Sequence, residues 1–205
     1  MKNDKLPREA ECKRTGARFN DLLQSLFRYA ERKGHVDLPF AEYFALADEW
    51  EQYPEGWEGN VLGMLAGQSV AGNKKRAAAF CRASEKELTD SQLAIARRWK
   101  KLPWFFTAFT VVESYGDGLL EIVPLGGPPA NWPADEPWDS LLLYSRTLTD
   151  RCRHGARLFL AQLWKGEHAF HTYGVILDLP TMEPEDLFFF ADIEAHLDSE
   201  PGEVP

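Results

Sequence analysis

His168 and His171 stand three residues apart, with Asp178 further along the same stretch. On a helix that offset would turn both imidazoles to one side and could hold a metal ion. The surrounding aromatic and β-branched residues favour a strand instead, where positions three apart face opposite ways. No metal site is therefore expected, and an enzyme site near these histidines is kept only as an alternative reading. His154 lies among Arg151, Arg153 and Arg157 and is expected in a solvated turn.

Nucleophile and phosphate motifs give no stronger lead. Cys81, in Ala79-Phe80-Cys81-Arg82, has cations nearby that would favour a thiolate, yet its apolar neighbours suit a core thiol. Ser69 and Ser145 occupy contexts that helix and strand explain, and neither a Gly-x-Ser-x-Gly elbow nor a His-Glu-x-x-His pair occurs. Gly72-Asn73-Lys74-Lys75 lacks the spacing of a phosphate loop, and the prolines after Gly126-Gly127 remove the amides that would cradle an anion. No cofactor is expected.

Two constellations bear on recognition. Trp132 and Trp138 sit in a proline-rich stretch, 126–139, beside Asp135, Glu136 and Asp139. Aromatic side chains on a stiffened loop offer contact area at low entropic cost, and the acids favour a cationic protein partner. The competing expectation is that both indoles fold back over an aromatic core. Lys74, Lys75, Arg76 and Arg82, then Arg97, Arg98, Lys100 and Lys101, could form a positive face on two helices and contact nucleic acid.

The elements that must position these residues change character at Pro103. Before it, Phe19, Leu22, Leu23, Leu26, Phe27 and Ala30 follow the spacing of one buried helix face over 16–33, with Gly34 as its stop. A second helix is expected to open at Pro39. In 57–72, Gly59, Gly63 and Gly67 would line one stripe of a helix and let a neighbour approach closely. Helices are also expected over 74–83 and after Thr89-Asp90-Ser91-Gln92, which has the spacing of a capping box.

After Pro103, 105–112 and 119–123 read as a hairpin about Tyr115-Gly116-Asp117-Gly118. Strands are expected at 141–145, 156–164 and 168–177, with a turn at 150–155, and a last helix over 184–197. The fold class is therefore α+β: a helical N-terminal region of about four helices, then an antiparallel sheet able to curl into a barrel, then a C-terminal helix. The expected divisions are a mobile leader 1–15, a helical region 16–102, a β-rich region 103–197 and a tail 198–205.

The net charge of −9 hides a split, since residues 1–101 carry 18 Lys and Arg against 15 acids and residues 102–205 carry 5 against 17. The halves could attract each other, or one could address a charged partner. The polar N-terminus has no secretory h-region, no apolar run reaches bilayer length, and three widely spaced cysteines suggest no disulfide or zinc framework. A soluble, cytoplasmic chain without membrane contact is expected. Its leading functional reading is a non-catalytic binding or adaptor protein acting through the acidic half and the Trp/Pro loop.

Overall fold

The computed structural model describes residues 9–35, 57–116, 118–129, 132–134, 136–154 and 157–178, with the backbone alone for 57–62. The helices expected from Pro39 and over 184–197, and Asp135, lie outside these residues.

Helix α1 (Glu9–Arg32) buries one stripe running from Cys12 and Thr15 through Phe19, Leu22 and Leu26 to Ala30. The 3–4 spacing thus continues about one turn before Gly16, back to Cys12, and residues 9–15 are helical where a leader was expected. Cys12 and Thr15 carry the stripe with small side chains, which hid it. Helix α2 (Trp57–Ala71) carries the glycine stripe, whose purpose is close approach. A Cβ on Gly63 would lie 2.8 Å from Tyr173 Oη, and one on Gly67 only 2.2 Å from Trp104 Cζ3. The expectation of a close neighbour is met by two aromatic side chains from the β-rich half.

Helix α3 (Lys74–Ala83) begins with three cations, a poor match to its dipole. The side chain of Asn73 offsets this by accepting from the amides of Lys75 and Arg76 at 2.9 and 3.1 Å. Helix α4 (Asp90–Trp99) has the reciprocal capping box: the Gln92 amide donates to Thr89 Oγ1 at 3.3 Å, and the Thr89 amide to Gln92 Oε1 at 2.8 Å. Thr89→Ala is expected to lower stability by about 1 kcal/mol in urea denaturation. Thr89→Ser should keep most of it, and an equal loss in both variants would show that the cap is not responsible.

Five strands close a small barrel in the order β1-β2-β3-β5-β4: β1 (Phe105–Gly116), β2 (Leu119–Pro124), β3 (Leu141–Tyr144), β4 (Leu158–Lys165) and β5 (Phe170–Asp178). The expected hairpin is β1–β2, turning through Gly116 and Gly118 at φ of 80° and 89°. The barrel is mixed, because β3 and β5 close it in parallel through Leu143–Phe170 and Tyr144–His171. Parallel neighbours need a crossover, and here it comprises β4 and a short helix, α5 (Arg146–Arg153), capped by Ser145. The turn expected at 150–155 is largely the last turn of that helix.

Phe105, Phe109, Ile122, Leu143, Phe159 and Leu163 fill the barrel, with Leu148 and Cys152 of α5 packed among them. A second core joins the helices to the barrel's outer side. Its centre is Phe19, stacked on Trp164 at 4.0 Å between ring centroids and 5.5 Å from both Trp104 and Tyr173. Gln68 of α2 ties the layers with buried hydrogen bonds, donating to the Trp104 carbonyl at 3.3 Å and accepting from Gln162 at 2.7 Å.

Candidate functional site

The Trp/Pro loop folds onto the barrel. Trp132 stacks beside Phe170 at 5.9 Å, both Trp132 and Trp138 meet Phe105, and the two indoles meet each other edge to face at 4.6 Å. Their ring N–H groups are used within the loop: Trp132 Nε1 donates to the Glu136 carbonyl at 2.9 Å, and Trp138 Nε1 to the Gly126 carbonyl at 2.6 Å. Glu136 is held further by Lys165 at 3.0 Å, whose ammonium also lies 4.5 Å from the Phe170 ring centroid. The structure thus brings Trp132, Trp138 and Glu136 together but turns the aromatic mass inward. Facing outward are Leu125, 55% exposed, with Gly126, Gly127, Pro128 and Asp139. Leu125 was not singled out from sequence, since a single apolar residue after a strand carries no pattern.

The outer face of β1 and β2 is acidic. Glu113 pairs directly across from Glu121, an unfavourable juxtaposition of like charges. The hydroxyls of Ser140, at 2.5 Å, and Tyr115 donate to the Glu121 carboxylate. Those bonds, that from Ser140 foremost, hold Glu121 below the usual carboxylate range, and the same contact pushes the Tyr115 phenol up to about 12. Five-stranded barrels of the OB type bind oligonucleotides on the second and third strands and the loops beside them. Here β2 carries Glu121 and the adjoining turn is tight, so the electrostatics of this face oppose a polyanion.

The histidines do not converge. His168 is exposed in the bend before β5, whereas His171 is 4% exposed, stacked on Trp164 at 4.4 Å. The strand expected from His168 begins at Phe170 because Gly166 closes a tight turn, its amide donating to the Ala169 carbonyl at 2.9 Å. Burial pushes the His171 imidazole down to about 4. Asp178 ends the same strand, up to about 23 Å along from His171 at about 3.3 Å per residue. Among the described residues no three His, Cys, Asp or Glu side chains are grouped to hold a metal ion.

Cys81 is buried, and burial raises its thiol pKa although Lys100 and Arg97 pull the other way. Ser69 donates to the Ala66 carbonyl at 2.8 Å, and Ser145 caps α5. His154 is exposed at the C-cap of that helix. A shallow depression of about 260 Å³ lies between Gly118, Arg146, Thr149, Asp150 and Arg153. Both of its guanidiniums face carboxylates of this chain, Arg146 that of Glu9 at 2.6 Å and Arg153 that of Asp150 at 3.1 Å.

The basic residues of α3 and α4 do approach one another. Arg97 of α4 comes within 3.8 Å of Glu85, just past the end of α3, so Arg82 and Arg97, fifteen residues apart in sequence, lie on neighbouring elements. Arg82, Arg97, Lys100 and Lys101 are exposed, while Lys74, Arg76 and Arg98 are half-buried. Arg76 donates to the Ser69 carbonyl at 3.0 Å, and Lys75 is exposed in the first turn of α3.

The class that fold and surfaces define is an α+β protein whose helices pack on a closed five-stranded barrel. Comparison with family models, with curated proteins and with solved structures finds no match. No helix among the described residues is long and apolar enough to cross a membrane.

Proposed function

We propose that the chain is a non-catalytic binding protein that presents its Trp/Pro loop, with the acidic barrel face beside it, to a protein partner carrying positive charge. The observation that carries this reading is the pair of hydrogen bonds from Trp132 and Trp138 to carbonyls of their own loop. A loop fixed in advance loses little conformational entropy on binding, so Leu125 and Asp139 meet a partner already positioned. The tryptophans serve as the loop's internal support rather than as its contact surface. An enzyme site at the strand histidines gains no comparable support, since His168 and His171 occupy different environments.

Leu125→Asp with Asp139→Lys alters the outward surface and leaves both indole contacts in place. Co-purification of the wild type with a stoichiometric partner, and loss of about thirtyfold in affinity for the double variant, is the expected result for a central contact worth ~2 kcal/mol. Undiminished recovery with an unchanged melting temperature overturns the loop assignment.

A further inference from the structure

The loop reading leaves the basic helices unused, and the structure gives them more than the sequence clusters suggested. Tyr29 of α1 packs against Phe80 of α3 at 5.3 Å between ring centroids, which brings the cationic end of α1 beside α3. Burial raises the Tyr29 phenol, and the guanidiniums of Arg82 and Arg32 oppose that rise. Burial lowers His35, and Arg76 and Lys33 lower it further. Arg82, Arg97 and Lys100 act together on Cys81. With Phe80 also stacked on Trp99 of α4 at 6.2 Å between ring centroids, the helices that carry or adjoin these cations pack against one another.

We propose that Arg32, Lys33, Arg82, Arg97 and Lys100 form a face that binds the phosphate backbone of duplex nucleic acid without reading its sequence. All five are exposed. Arg97 has an acidic neighbour, Glu85, but at 3.8 Å and with side chains 53% and 68% exposed that pair is weak. Arginine forks match phosphate oxygens in pairs, and three of the five residues are arginines. The aromatic residues beneath, Tyr29, Phe80 and Trp99, are buried. None is therefore offered to stack an unpaired base, which favours a duplex over a single strand. A membrane surface is disfavoured because Val112 and Leu125, the exposed large apolar residues among those described, both belong to the barrel half. The face uses no element of the Trp/Pro loop, so the two readings stand or fall separately.

The test is binding of the full chain to a random-sequence duplex of about 20 base pairs, read by fluorescence anisotropy. With about five phosphate contacts the affinity should fall several-hundredfold between about 50 and 200 mM salt. Arg82→Ala/Arg97→Ala/Lys100→Ala should weaken binding at low salt at least tenfold and flatten the salt dependence. Arg146→Ala/Arg153→Ala/Arg157→Ala, which removes equal charge from the barrel half, should change it less than twofold. Circular dichroism of both variants checks that they are folded, and Arg82→Lys/Arg97→Lys, which keeps the charge, should retain most binding. Absence of binding at low salt, or equal weakening by the two triple variants, overturns the proposal. Equally tight binding of polyglutamate assigns the face to an acidic protein and also overturns it.

Discussion

Gly67→Ala should destabilise the protein by about 2 kcal/mol or more, whereas the same substitution at Gly16 should stabilise it by up to about 1 kcal/mol. Both glycines are helical, and alanine is the better helix former at each. At Gly16 nothing lies within 4 Å of the added Cβ. At Gly67 the methyl would enter the Trp104 ring, 2.2 Å from Cζ3 and 2.9 Å from Cη2. That indole is 1% exposed and held between Phe19, Trp99 and Tyr173, so it has nowhere to move. Denaturation midpoints of the two variants are the measurement. Trp104→Leu removes the six-membered ring, and in that background Gly67→Ala should become neutral or favourable; the change of sign is the coupling between the two sites. A Gly67→Ala protein as stable as wild type would mean that α2 does not lie this close to the barrel.

This close approach also shows what could be read from sequence and what could not. The glycine spacing in 57–72 signalled a close neighbour, but the neighbours are side chains from 104 and 173, brought there by barrel closure. Local signals were legible because their physics is local. Thr89 and Gln92 satisfy each other's backbone groups within one turn, and Gly116 and Gly118 adopt the positive φ that the tight turn needs. Helix α5 was not legible: of its eight residues only Leu148, Thr149 and Cys152 are buried, too little apolar pattern to stand out from a turn. The parallel β3–β5 closure rests on two registered pairs separated by 27 residues, a contact that periodicity does not encode.

The functional surfaces followed the same rule. None of the described residues of the proline-rich stretch 126–139 is in a strand, but which way the indoles point depends on Phe105 and Phe170, both distant in sequence. The two basic clusters were visible as composition. That the helices carrying them pack together, with Arg32 and Lys33 at the end of a third, depends on the Tyr29–Phe80 and Phe80–Trp99 contacts between α1, α3 and α4.

His171 should make stability fall as the solution is acidified from about pH 6.5 toward pH 4. Its imidazole lies between Trp164 at 4.4 Å and Tyr144 at 5.6 Å, and Nε2 has no hydrogen-bond partner. Such a site excludes the charged form, which is why burial pushes its pKa down to about 4 from an ordinary 6.5. Between those values the unfolded chain binds a proton that the folded chain refuses, so stability rises with pH across the window and falls as pH drops through it. The full difference amounts to about 3 kcal/mol, present above pH 6.5 and lost by about pH 4. His35, also lowered, contributes with the same sign, so the His171 share must be taken as a difference. Glu121, held low, adds its own loss only below the ordinary carboxylate range. His171→Phe keeps a flat ring against Trp164 and removes the titration. Guanidinium unfolding at steps from pH 7 to pH 4 should therefore show a decline steeper in the wild type than in the variant by about 3 kcal/mol over the window. Parallel pH profiles would mean that water reaches the imidazole in the folded protein. The stacked column of Phe19, Trp164 and His171 would then be open at its barrel end.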